Sequence, residues 1–188
     1  MTRLPETPDK GALLTAIARA AIARKLGQPA AMAATRPDWL ASPGAVFVTL
    51  TQAGQLRGCI GSLEAWRPLA DDLEANARAA AFGDPRFPAL AAEELARTRV
   101  EVSILSKPEP LPCTDEADAV AKLRPGVDGV ILEWHRHRGT FLPQVWDQLP
   151  TPASFLRHLK QKAGLPADFW ADDVRLSRYT VEKFKEAP

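Results

Sequence analysis

An α+β fold, with a mixed or antiparallel sheet and about three main helices, is predicted from three observations. Thr98–Leu105 alternates Val100, Val102 and Ile104 against Arg99, Glu101 and Ser103, the period of a half-buried strand. Two apolar runs, Ala45–Thr51 and Leu56–Ile60, flank the short connection Gln52-Ala53-Gly54-Gln55 and form a hairpin. Helical and extended segments then follow in irregular order, without the β-α-β-α repeat of doubly wound proteins.

The elements follow in chain order. Leu13, Leu14, Ile17, Ala21 and Leu26 recur at helical spacing after Asp9, with Gly27 as the stop. Gln28–Gly44, with three prolines, reads as a loop. Pro68 opens a second helix with Leu69, Leu73, Ala77 and Ala80 on one face, ended by Phe82-Gly83-Asp84-Pro85. Past the Thr98–Leu105 strand and the stiff Pro108–Pro112 connector, a short helix is expected over Thr114–Leu123, capped by Thr114. Gly129–Trp134 and Gly139–Leu142 form a second hairpin around His135–Arg138, read as a solvated turn in preference to a metal site. Thr151-Pro152 starts the last long helix, with Phe155, Leu156 and Leu159 inward and Gly164 as its stop. Asp173–Phe184 is expected to close the fold as one strand.

At 188 residues the chain fits a single domain, or one domain with two lobes, and needs no disulfide or metal to fold. Met1–Pro8 is expected to be flexible. The 24 basic side chains against 23 acidic ones leave a charge of +1, which argues against a nucleic-acid partner and a polybasic membrane role. No run of about 18 apolar residues exists, and the opening residues lack the order of a signal peptide, so a cytoplasmic location with free thiols is expected. The cysteines, Cys59 and Cys113, lie too far apart in sequence for a C-x-x-C zinc site, so no metal is predicted. No nucleotide-binding glycine motif or serine-hydrolase elbow occurs, and no cofactor is predicted. The five tryptophans are spread evenly and read as packing residues.

Unusual choices concentrate in Leu56-Arg57-Gly58-Cys59-Ile60-Gly61. Gly58 and Gly61 bracket a thiol and leave backbone N–H groups unshielded. Two positions before Cys59, Arg57 projects to the same face of an extended strand, where its charge favours the thiolate and lowers the pKa. Thiolate, cation and bare amides are ingredients of acyl-transfer or redox chemistry. A buried cysteine that only packs is the competing reading. Asp84-Pro85-Arg86 is the second candidate: either a salt-bridged turn, or a loop that presents Arg86 to an anionic group.

These segments resemble the AMMECR domain family, whose prokaryotic members are labelled AmmeMemoRadiSam system protein A. The resemblance rests on Leu56–Gly61, Asp84-Pro85-Arg86-Phe87, Gly129–Leu132, Thr140–Trp146, Lys162–Pro166 and Arg178–Phe184, running in the family's order from about Asp9 to Glu186. It implies a single AMMECR domain over 1–188, with two unequal lobes around a cleft and the Arg-Gly-Cys-Ile-Gly segment close to it. It also implies the company of a Memo-like protein and a radical SAM protein. Family members often carry histidine where this chain has Asp128, so a histidine base for Cys59 at that position is missing. The resemblance brings no settled reaction. The leading expectation is a cysteine-dependent enzyme or redox protein acting with those two partners. Cys59 and Arg57 would be catalytic, and Gly58, Gly61, Asp84 and Arg86 would bind. The alternative is a non-catalytic module that docks a partner protein or nucleic acid at the same cleft.

Overall fold

The computed structural model describes residues 9–30 and 36–186; the Met1–Pro8 segment expected to be flexible lies outside them. In chain order the elements are α1 (Lys10–Lys25), β1 (Ala45–Gln52), β2 (Gln55–Gly61), α2 (Leu69–Phe82), β3 (Thr98–Leu105), β4 (Glu109–Pro110), α3 (Glu116–Lys122), β5 (Gly129–Trp134), β6 (His137–Phe141), α4 (Pro152–Lys162), β7 (Arg175–Tyr179) and β8 (Val181–Lys185). The strands form two four-stranded sheets, in the orders β2-β1-β3-β8 and β4-β7-β5-β6. Backbone contacts divide the chain into two units, Met1–Leu105 with Glu182–Pro188, and Ser106–Val181. Among the described residues no helix is long and apolar enough to cross a membrane.

In the first unit, β1 pairs antiparallel with both β2 and β3. Its alternation puts Val46, Val48 and Leu50, all fully buried, on one face with Val100 and Val102 of β3. Leu14 and Ile22 of α1 and Leu73 and Ala77 of α2 belong to the same core. Each such side chain larger than alanine contributes about 2 kcal/mol through removal from water. Phe47, Thr49 and Thr51 alternate onto the opposite face and are half-buried. α1 begins as its sequence directs, with the Asp9 carboxylate accepting from Ala12 N–H at 3.2 Å, and gives way to Gly27 at φ +70°.

A bulge interrupts β2. Leu50 lies opposite Gly58 but Thr51 lies opposite Leu56, so Arg57 is an extra residue without a partner on β1. The alternation that would put Arg57 on the face of Cys59 is broken there.

In the second unit, β5 lies between β6 and β7, antiparallel to both. Val130 and Leu132 pack with Trp146, Phe155, Leu156 and Leu159. Trp146 stacks on Phe155 at 3.8 Å and donates its indole N–H to the Asp128 carbonyl at 2.7 Å. Asp115, not Thr114, caps α3, its carboxylate accepting from Asp118 N–H at 2.8 Å.

The expected single closing strand is two strands, β7 in the second sheet and β8 in the first. β7 ends at Tyr179 and β8 starts at Val181, so Thr180 belongs to neither strand. The change of sheet falls at Thr180, whose carbonyl accepts from Ser106 N–H and whose N–H donates to Ser106 Oγ, both at 2.9 Å.

Candidate functional site

Cys59 lies opposite Thr49 in the β1–β2 ladder, on the face away from α1 and α2. It is half-buried, and its Sγ is 3.3 Å from Thr49 Oγ1. Its backbone is held from the outer side of β2, the last strand of its sheet. The Cys59 N–H donates to Asp84 Oδ2 at 2.9 Å, and Arg86 Nη2 donates to the Cys59 carbonyl at 3.3 Å. Asp84 and Arg86 thus occupy the two hydrogen-bonding positions that a neighbouring strand would take.

The clamp is locked internally. Asp84 accepts from the Arg86 backbone N–H at 3.1 Å and from Arg86 Nε and Nη2 at 2.9 and 2.7 Å. The Asp84 side chain is 2% exposed and that of Arg86 55%. The Arg86 guanidinium, followed by the N–H donors of Cys59 and Arg86, holds the Asp84 carboxyl well below the usual carboxylate range, against the opposing effect of burial. Arg86 is raised in turn, first by the Asp84 hydrogen bond and in smaller part by the charge of Cys59.

Arg57 does not serve Cys59 in the way the unbroken strand implied. Its guanidinium donates to both Glu94 carboxylate oxygens, at 3.1 and 2.9 Å, and to the Pro88 carbonyl at 2.9 Å. Arg57 holds the Glu94 carboxyl down at about 2, helped by the Ala91 N–H. The cation that reaches the Cys59 residue is Arg86.

The two glycines answer to packing. A Cβ on Gly58 would stand 2.1 Å from the Ala80 carbonyl oxygen of α2, so the helix lies directly on the strand backbone. A Cβ on Gly61 would stand 2.2 Å from the Phe47 ring. Gly58 and Leu50 form a hydrogen-bonded pair by the alternation of the ladder, so the Gly58 N–H faces β1, whereas that of Gly61 faces outward.

Thr49 and Glu94 escaped the sequence reading, and Trp66, expected to be a packing residue, is an exposed ring instead. The first two sit in unremarkable strand and turn contexts, and only pairing brings them to Cys59 and Arg57. Trp66 is 69% exposed, in a loop pinched at its base. Ser62 Oγ and Arg67 Nε both donate to Asp72 Oδ1, at 2.6 and 2.8 Å, and the Arg67 guanidinium lies 4.6 Å from the Trp66 ring. Elsewhere in the first unit, a cavity of about 530 Å³ is lined by Asp9, Thr15, Arg19, Arg99, Lys185 and Glu186, none of them a residue of the Cys59 site.

The other candidates sort clearly. His135 occupies the β5–β6 turn at φ +48°, with Nε2 3.3 Å from Asp173, and His137 Nδ1 is 3.0 Å from the Ala163 carbonyl oxygen. Among the described residues no group of three or more histidine, cysteine, aspartate or glutamate side chains is placed to hold a metal. Asp128 is fully buried and paired with Arg124. Cys113 is half-buried in the second unit, and burial, followed by Asp118, pushes its thiol up.

The two antiparallel sheets and the Leu56–Gly61 and Asp84–Phe87 segments define a class, and the chain belongs to the AMMECR1 family, whose model matches residues 15–184. It is 42% identical over 194 residues to a protein of Methanothermobacter thermautotrophicus, covering 99% of both chains. It is 37% identical over 188 residues to protein MJ0810 of Methanocaldococcus jannaschii, covering 96% of this chain and 92% of that one. Among solved structures it is similar to the uncharacterized protein PH0010 of Pyrococcus horikoshii, with a TM-score of 0.78 and 34% identity over 94% of this chain and 91% of that one.

Proposed function

We propose that this chain is a non-catalytic binding module that holds a partner protein at the Cys59–Arg86 edge of β2, in the company of a Memo-like protein and a radical SAM protein. One observation carries the reading: both backbone groups of Cys59 are clamped by Asp84 and Arg86, while Arg57 is tied to Glu94. Such an arrangement makes a rigid recognition edge with a half-exposed guanidinium on it, suited to a carboxylate. Pulldown of the Memo-like and radical SAM proteins tests this. Wild type and Cys59→Ser should capture them alike, because serine keeps the clamped amide, and Arg86→Leu should capture less. Equal capture by wild type and folded Arg86→Leu would contradict the reading.

A second reading, a cysteine-dependent enzyme or redox protein, is favoured by the Thr49 hydroxyl 3.3 Å from Sγ and by the Arg86 guanidinium on the Cys59 carbonyl. Arg86 and Thr49 would then do what the sequence assigned to Arg57. Retained capture by Cys59→Ser with loss of turnover in the reconstituted trio would select this reading.

A further inference from the structure

We infer that the outer edge of β2 at Gly61 receives the C-terminal carboxylate of an extended peptide, which pairs with the Gly61 N–H and Arg86 and lays an apolar side chain on Trp66. The inference rests on the binding-module reading and names the chemistry of its partner.

The direction of the Gly61 backbone follows from the ladder. Ser62 N–H donates to the Val46 carbonyl at 3.0 Å, so that pair is hydrogen-bonded. In an antiparallel pair hydrogen-bonded and non-hydrogen-bonded positions alternate. Val48–Ile60 and Leu50–Gly58 are therefore bonded across the ladder, and Phe47–Gly61 and Thr49–Cys59 turn their backbone groups outward. Asp84 and Arg86 close the outward groups of Cys59. Those of Gly61 have no partner among the described residues. Phe47 packs against the Cα of Gly61, and no side chain of its own shields the amide.

Two further groups flank that donor. Arg86 uses Nε and Nη2 on Asp84 and Cys59, and its Nη1 has no partner among the described residues. The Cys59 carbonyl that Arg86 touches and the Gly61 N–H follow one another on the same edge, with only Ile60 between. On the other side, Ser62 and Arg67 meet at one carboxylate oxygen, and this pinch keeps Trp66 near the end of β2. Trp66 rests on Arg67 and leaves most of its surface to solvent.

The length of the free edge decides between occupants. A second β2 pairing edge to edge would need several consecutive outward positions, and the clamp on Cys59 interrupts that row next to Gly61. A peptide end needs one backbone donor, one cation and one apolar contact, and these are the groups present.

The test presents the purified full chain with a synthetic pool of hexapeptides bearing free C-termini. Peptides retained are then remade as free acid and as C-terminal amide, and their binding is followed by fluorescence anisotropy. The amide should bind about tenfold more weakly or worse, as loss of a charge-assisted hydrogen bond implies. Arg86→Leu should lose a similar factor. Trp66→Ala touches no buried group, stays folded, and should also weaken binding. Retention of no peptide, or equal affinity for acid and amide (as for an internal aspartate or glutamate), overturns the inference. So does a wild-type dimer that Trp66→Ala dissociates on size exclusion, since a second copy then fills the edge. Failure here with successful capture of the protein partners removes the peptide inference and leaves the binding-module reading standing.

Discussion

The two units each contain a buried aspartate beside a half-exposed arginine, and the two pairs do different things. Asp128 and Arg124 close on themselves: the carboxylate accepts from Arg124 N, Nε and Nη2 at 2.9, 2.9 and 2.6 Å, all within one turn. Asp84 and Arg86 make the same internal bonds and also reach Cys59, 25 residues away in sequence. The first pair locks a loop, and the second turns a loop into an edge for a strand. An Asp–Arg pair becomes a site only when its remaining valence is directed at another segment. The two candidate arginines show the same division, Arg57 serving Glu94 and Arg86 serving the cysteine peptide.

Substitutions can break this comparison, beginning with the largest. Arg57→Leu leaves the little-exposed Glu94 with only the exposed Arg97, 3.8 Å away, and should cost about 4 kcal/mol in urea unfolding; a loss of less than about 1 kcal/mol would show that the pair does not hold the loop after α2. Asp84→Ala should cost about 3 kcal/mol, and should also speed amide hydrogen exchange at Cys59, because a strand donor loses its acceptor. Asp128→Ala should cost about 2 kcal/mol and leave exchange at Cys59 unchanged. Equal exchange in the two variants would remove the distinction between them.

Acid unfolding sharpens the same point. Asp84 and Glu94 both have folded pKa values below their ordinary values of 3.8 and 4.5, so the stability they contribute is fully present above about pH 5. It is lost as pH falls below those ordinary values towards about 2. The urea midpoint should be flat from pH 5 to 7 and fall below that, with a shallower fall in Asp84→Ala. The smallest effect belongs to Trp66→Ala, which should change stability by less than about 0.5 kcal/mol because it removes only an exposed ring.

Much of the fold was legible. Periodicity located both hairpins, Asp9 and Gly27 bounded α1, and Thr98–Leu105 proved to be a strand of the first sheet. The division into two sheets was not legible, because Val174, Leu176, Tyr179 and Val181 are all apolar or aromatic and conceal the break at Thr180. At the site, residue types drew attention to Cys59, Asp84 and Arg86, and the structure brings these three together. The role expected of Arg57 depended on an unbroken alternation, and one extra residue in β2 removed it. A bulge leaves no mark in composition or spacing, and the partner that claims Arg57 lies 37 residues downstream.

Iodoacetamide labelling of Cys59 at pH 8 tests most directly whether Arg86, and not Arg57, is the cation of this site. Wild type, Arg57→Gln and Arg86→Leu would be compared, each shown to be folded by near-ultraviolet circular dichroism. Cys113 serves as the slow internal reference, since burial and Asp118 push its thiol up. The account predicts that Arg57→Gln labels Cys59 within about twofold of wild type, and that Arg86→Leu labels it several-fold more slowly. Slower labelling in Arg57→Gln, with Arg86→Leu unchanged, would contradict it.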